Sequence, residues 1–442
     1  MKKLLVSVLM IIGCLLLPGC GGGSGSSAPA PTGVTVQAGD NNVTVTWNPS
    51  PGVEYWLFGA SGVGVITPQN CIYLPNCKIF PAVSSPLVLE SLVTGLINGS
   101  TYSFTINGRT GGGIGGPGSS AVQVTPRLAG ATWTSNPVVG AGAQNLRGVA
   151  YGSVFVAVGA NVVAGANGAL FSSVDGVTWT SLTLPASLPA GTSFNAISYS
   201  GGKYVVVGTG GVILLSTDAV TWTQQAIGST PNDLYAVAGN GSGGFVATGA
   251  SGTILSSVNG STWTVVPVVA PIPANALYGV SYGNGKYVVV GALGTLLTST
   301  NGTTWVAGQA NSPIPAADLK SIAYGLPLAA YGYLAQDATV GTFVAVGVGG
   351  ALVTSTDGGA TWTPRASISP NLLNAVTFGH QFIALDNLGD TFTSTDGLTW
   401  QHTQPASASL NAIAPARLVS GSHTGLYVYS VVGASGVNML AK

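Results

Sequence analysis

From Leu146 to the C-terminus the chain repeats one order of apolar and polar positions. The second copy shows it plainly: F-N-A-I-S-Y, then K-Y-V-V-V-G, then G-V-I-L-L-S, a polar turn, and T-W-T-Q. The first two segments include nearly unbroken apolar runs, which suit strands covered on both faces, while the third alternates more visibly in the two-residue period of a strand. Copies begin near Leu146, Phe194, Leu234, Leu277, Leu319, Leu372 and Leu410. Six polar turns close on a tryptophan, at Trp179, Trp222, Trp263, Trp305, Trp362 and Trp400, and a seventh Thr-Trp pair at Trp133 has no turn before it. Successive tryptophans of this series lie 38 to 57 residues apart, the period of one supersecondary unit copied many times.

Four short strands per copy, seven copies and glycine at the bends predict a seven-bladed β-propeller over residues 127–442. The last copy runs L-N-A-I-A, L-Y-V-Y-S-V-V, G-V-N-M-L and stops without its Thr-Trp strand, while A-T-W-T-S stands alone before the first copy. The N-terminal strand around Trp133 is therefore expected to complete the final blade and cover two edges that would otherwise stay open.

Residues 32–126 carry a different pattern. V-T-V-T-W, ending at Trp47, alternates as a half-buried strand, and V-E-Y-W-L-F follows the turn-forming N-P-S-P-G. L-I-N-G-S-T-Y-S-F-T-I places Leu96 and Tyr102 around a tight turn ahead of a strand, as in a tyrosine corner. With the closing S-S-A-V-Q-V-T-P, this segment resembles a fibronectin type III domain, which implies an immunoglobulin-like β-sandwich with Trp47 and Tyr102 in its core. It departs from that pattern between about Ala60 and Pro86, a longer stretch holding Cys71 and Cys77. Their five-residue separation suits a disulfide-closed loop, with a metal or redox pair as the alternative.

Before it, Lys2 and Lys3 precede an apolar run from Leu4 to Leu17, too short to span a bilayer and laid out as a secretory signal. The run ends in L-L-P-G-C, which resembles the lipobox of bacterial lipoproteins. That resemblance implies a signal peptide at 1–19, lipidation of Cys20, membrane attachment through acyl chains, and a flexible tether at 20–31. Gly21 after the cysteine implies the outer membrane by the same likeness. The alternative is an ordinary cleaved signal with Cys20 unmodified.

Charge narrows the partners. Only 5% of the 442 residues are charged against an average of about 25%, with 12 basic and 12 acidic residues, while 46% are hydrophobic and 66 are glycine. Such hydrophobicity excludes disorder, and so few cations make a phosphate-binding surface, hence nucleic acid, an unsuitable partner.

The polar turns resemble the Asp box of sialidases, sortilin-type receptors and photosystem II assembly factor-like propellers, whose pattern S-x-D-x-G-x-T-W fits Ser355 to Trp362 at full length. The other five are one residue shorter, and Asp175, Asp218, Asn259, Asn301 and Asp396 take the place of Asp357. An Asp or Asn there accepts backbone N–H groups of its own turn and the tryptophan packs inward, so these residues are expected to be structural. On the opposite loops, Asp233, Asp318, Arg147 and Lys320 are candidate binding residues, with Asp386 and Asp390 a possible carboxylate pair: Asp386 stands where four other copies have Gly208, Gly249, Gly291 and Gly347.

An enzyme is not expected. The propeller segment beyond Arg127 has only Arg147, Arg365 and Arg417, both glutamates, Glu54 and Glu90, lie in the first domain, and His380, His402 and His423 show no triad spacing. A glycosidase would have to run on an Asp pair. No metal or cofactor is expected. The sequence predicts a lipid-anchored envelope scaffold that binds a protein or glycan through the loop face. An assembly or stability factor for an envelope complex is the alternative, and a glycoside hydrolase a second one.

Overall fold

The computed structural model describes residues 26–441 apart from 63–65, 72, 75, 85–89, 112–114, 131, 139, 141–143, 164, 228–231, 311–315, 327–340, 404–405 and 419–426. The signal segment, Cys20 and His423 lie outside the described residues. Among those described, no helix is long and apolar enough to cross a membrane. The chain is all-β and divides into two compact units near Pro126.

In the first unit, Thr32–Gly39, Asn42–Asn48 and Glu90–Thr94 form a three-stranded sheet. Cys77–Ser84, Val53–Ser61, Tyr102–Thr110 and Val122–Val124 form a second, four-stranded one. Alternate residues of both bury a common cluster that includes Val43, Val45, Trp47, Tyr55, Leu57, Phe104 and Ile106. The Tyr102 hydroxyl accepts the Ile97 N–H at 3.0 Å. A disulfide joins Cys71 and Cys77, whose Cα atoms are 5.4 Å apart.

The second unit contains seven sheets among the described residues, six antiparallel ones of four strands and one of five. The first is Gln144–Tyr151, Phe155–Asn161, Leu170–Ser173 and Thr180–Ser181. In the last, Leu410–Arg417, Tyr427–Gly433 and Asn438–Ala441 take Trp133–Ser135 as their fourth strand, with Ala441 opposite Trp133. One sheet carries a strand that the repeat pattern does not announce: Gln309–Ala310 adds in parallel beside Thr361–Pro364.

The unbroken apolar second strands are explained by packing on both sides. Strand residues point alternately to opposite faces. Tyr204 and Val206 thus join Val156, Val158 and Trp222 in the cluster between the first two sheets. Val205 and Val207 join Phe245, Leu255 and Trp263 on the other side. The same alternation recurs at Val288 and Val290 against Val289. In five sheets an aromatic residue near the start of the second strand meets the turn tryptophan of its own sheet: the Phe155–Trp179, Tyr204–Trp222, Phe245–Trp263, Phe343–Trp362 and Phe382–Trp400 ring centroids are 6.2 to 6.5 Å apart. These contacts are within the range in which aromatic pairs attract beyond simple burial.

Trp362 has no solvent exposure. The added strand explains this, since a Cβ on Gly308 would lie 2.9 Å from the indole Nε1. Removing so enclosed a ring leaves a cavity that the neighbouring sheets cannot collapse into. Trp362→Ala is expected to cost about 3–5 kcal/mol, read as a lowered urea midpoint, and more than Trp400→Ala, whose ring is only partly buried.

Candidate functional site

The tryptophan turns are closed hydrogen-bonded units. In the first, the Gly176 N–H donates to Ser173 Oγ at 2.9 Å, Asp175 Oδ1 accepts the N–H groups of Val177 and Thr178 at 2.8 and 3.0 Å, and Trp179 Nε1 donates to the Gly176 carbonyl. Asp218, Asn259, Asn301 and Asp396 accept the same pair of backbone N–H groups in their own turns, while Trp222 and Trp305 Nε1 lack the bond to the turn carbonyl. Asn works because only one side-chain oxygen is used. At Asp357 the bonds shift by one residue, to Ala360 and Thr361, around two left-handed glycines, Gly358 and Gly359. For Asp175, Asp357 and Asp396, burial pushes the carboxyl up but these hydrogen bonds outweigh it and hold the group below its ordinary range.

The opposite loops are tied together differently. Asp233 Oδ1 accepts the Gly210 N–H at 2.9 Å, and Asp318 Oδ1 accepts the Leu293 N–H at 3.2 Å, so each carboxylate latches the preceding sheet's loop between second and third strands. Asp386 departs from expectation. Its carboxylate is fully buried and accepts four bonds, from the backbone N–H groups of Leu388 and Asp390, Asn371 Nδ2 and Ser369 Oγ. Burial raises its pKa and those four donors more than reverse this. Asp390 lies 3.1 Å from His402 Nε2 instead. Asp386, one half of the possible carboxylate pair, is thus engaged in bracing its own loop, and among the described residues no group of three His, Cys, Asp or Glu converges.

A row of side chains that the repeat pattern left unremarked lies beside these latches. In every sheet the pairing of first and second strands slips by one residue at the same place, for example between Leu234 and Ala236. A β-bulge leaves its extra residue without a cross-strand partner and re-aims its side chain. The seven residues so released are Arg147, Asn195, Tyr235, Tyr278, Lys320, Asn374 and Asn411. Each is followed by Gly, Ala or Ser and then by Val or Ile. The small residue is required by close approach, since a Cβ on Gly148 would lie 3.1 Å from the Ala196 Cα of the next sheet.

Neighbours in this row touch. Asn195 Nδ2 donates to the Leu234 carbonyl and Asn374 Nδ2 to the Leu410 carbonyl, both at 2.8 Å. Asn411 Nδ2 reaches from the last sheet to the first, to Asn145 Oδ1 at 2.7 Å and the Leu146 carbonyl at 2.8 Å. Arg147 donates to Asn195 Oδ1 at 2.8 Å and is exposed. The remaining three make an aromatic and cationic arc. Tyr235 and Tyr278 ring centroids are 5.6 Å apart, and Lys320 Nζ sits 3.4 Å over the Tyr278 ring while pairing with Asp318 Oδ2 at 3.0 Å. The Lys320 hydrogen bond is the main cause of a lowered Asp318 pKa; burial, with Asp233 and Tyr278 nearby, raises that of Tyr235.

Of the residues expected to bind, Arg147, Lys320, Asp233 and Asp318 lie in or beside this row. Tyr235, Tyr278 and the three asparagines were missed. Their signal was present as the widely variable column inside the otherwise conservative Leu/Phe-x-small-Val/Ile segment. Pockets of about 500 and 560 Å³ lie elsewhere, one in the first unit beside Lys78 and Tyr102 and one at the Asn301 turn.

No protein-family model matches the chain, and no curated protein sequence matches it. Solved structures do resemble it. YCF48 from Cyanidioschyzon merolae is 19% identical with a TM-score of 0.51, over 70% of this chain and 98% of that one. YCF48 bound to D1 peptide is 17% identical with a TM-score of 0.50, over 70% and 94%. Virginiamycin B lyase from Staphylococcus aureus is 11% identical with a TM-score of 0.55, over 70% and 99%. At such identities the likeness is one of fold, and the fold is β-propeller-like.

The tryptophan turns make stability depend on acid. Hydrogen bonds from the Thr221 and Val220 N–H groups and the Ser216 hydroxyl hold Asp218 down to about 2, from an ordinary 3.8. A depressed carboxyl contributes stability above its ordinary value and loses it as pH falls through the folded one. Melting temperature is therefore expected to drop between pH 3.8 and about 2, and Asp218→Asn, copying Asn259 and Asn301, to flatten that slope in a pH series of thermal melts.

Proposed function

We propose that this protein is a non-enzymatic, exported lipoprotein whose propeller holds a peptide segment of a protein partner, and that it serves as an assembly or stability factor for a cell-envelope complex. The observation that carries this reading is the row of seven bulged side chains, which gathers aromatic, cationic and amide groups on one face while the carboxylates around it are occupied in latching loops. Recognition by shape, hydrogen bonds and aromatic contact suits a chain with so few charges. The resemblance to a structure of YCF48 bound to D1 peptide favours a peptide over a glycan, and the assembly reading over simple adhesion.

In this reading the seven sheets close as a seven-bladed ring. Support comes from the Trp133–Ser135 strand in the last sheet and from the Asn411 bonds to the first. The turns are Asp boxes that fasten the outer rim. The first unit is a fibronectin type III-like sandwich, supported by its three and four strands and the Ile97 to Tyr102 bond, and acts as a spacer. Lipidation at Cys20 would hold the whole at the outer membrane through the 20–31 tether. The glycosidase reading is less favoured, because Asp386 is already engaged by four donors.

Crosslinking with mass spectrometry on intact envelopes tests the proposal with the full chain. A stoichiometric protein partner is expected, with crosslinks at Lys320 and neighbouring loops, and recovery at least about tenfold lower for a Tyr235→Ala, Tyr278→Ala double variant. Isolation of monomer alone under mild detergent would overturn it. A Cys20→Ser variant is expected to lose palmitate labelling and membrane recovery.

A further inference from the structure

Lys320 is a cation already housed in the row, and its housing shows which groups on this face suit a positive charge. The ammonium lies over the Tyr278 ring at 3.4 Å and against Asp318 Oδ2 at 3.0 Å, with about a quarter of its side chain exposed. An aromatic face and a carboxylate thus hold one positive charge between them, an arrangement in which cation–π attraction and charge-assisted hydrogen bonding add. Tyr235 stands next in the row, its ring beside Tyr278, with Asp233 two residues earlier on the same segment. Asp233 uses Oδ1 for the Gly210 N–H. Among the described residues no lysine or arginine pairs with Asp233, and none covers the Tyr235 ring.

Of the charged groups in or beside the row, Lys320 pairs with Asp318 and Arg147 is bonded to Asn195 Oδ1, while Asp233 has no cationic partner among the described residues. The surroundings also carry an apolar group held at a cost. Leu293, 65% exposed, occupies the left-handed region at φ +55°, where other sheets place Gly210, Gly349, Ser251 or Ser435. A leucine there strains the backbone, and Asp318 Oδ1 holds its N–H in place. Most of its side chain is exposed and so little of it is buried to offset that strain.

We propose that the Tyr235 ring and the Asp233 carboxylate bind a lysine or arginine side chain of the peptide partner, and that Leu293 gives an apolar contact to the same peptide. This rests on the peptide-binding reading above and adds the chemistry that the face selects. The ligand's cation would take the two kinds of partner that Lys320 takes internally, a ring face and a carboxylate, in a different arrangement.

The experiment titrates the full-length protein with three blocked tetrapeptides, acetyl-Gly-Lys-Leu-Gly-amide and its norleucine and glutamate counterparts, followed by NMR or calorimetry. The lysine probe is expected to bind at least about tenfold more tightly than the norleucine probe, a difference of about 1.4 kcal/mol, and the glutamate probe more weakly than either. Tyr235→Ala and Asp233→Asn are each expected to bring the lysine probe to the norleucine level, and Tyr235→Phe, which keeps the ring face, to retain the preference. The asparagine keeps an acceptor for the Gly210 N–H, so its loss of binding reports charge and not a broken loop. Leu293→Gly is expected to raise the melting temperature while weakening all three probes. Equal binding of lysine and norleucine probes, or a preference unchanged in Asp233→Asn, overturns the proposal. If a crosslinked partner is captured at this face while the probes show no preference, only this inference fails; if no partner is captured, the reading beneath it fails.

Discussion

The constraint on which the second unit depends is that its second strands are apolar on both sides. A sheet with one greasy face needs one neighbour; a sheet whose Tyr204 and Val206 face one way and whose Val205 and Val207 face the other needs two. In a linear series the first and last sheets would each lack one. The pairing of Trp133–Ser135 with Asn438–Ala441, and the bonds from Asn411 to Asn145 and Leu146, supply contacts between the two ends of the series. The tryptophans, the glycines at close approaches and the small residues after each bulge all serve that side-by-side packing.

Much of this was legible because burial on two faces leaves an unbroken apolar run, and because a hydrogen-bonded turn has a fixed residue grammar. The turn around Trp179 could be read from Ser173, Asp175 and Gly176 alone, since every bond it makes is local. The parallel strand Gln309–Ala310 could not, as two residues without a period leave no pattern and its pairing is set by where the chain happens to pass Trp362.

The candidate site was legible by halves. Arg147 and Lys320 stood out because charges are rare in this chain, and the same habit drew attention to Asp386. There it misled: a carboxylate where other copies have glycine looked like added chemistry, yet its four donors make it a brace for a differently built loop. Tyr235 and Tyr278 escaped notice because tyrosine in an apolar strand reads as core. What sets them apart is a register slip between two strands, and register is a property of a pair that no single strand reveals.

The bulges have a consequence for how this surface can change. A residue in an ordinary strand position is answerable to a partner opposite it, so altering it taxes the sheet. Each bulged residue is excused from that duty, while the small residue after it and the branched aliphatic beyond keep the packing constant. Three of the seven sockets hold asparagines that fasten adjacent sheets, and the other four, which hold an arginine, a lysine and two tyrosines, are the more open to other side chains. The scaffold can be rewritten at those places, by evolution or by design, with the core left untouched, so that a change of partner need not be a change of fold.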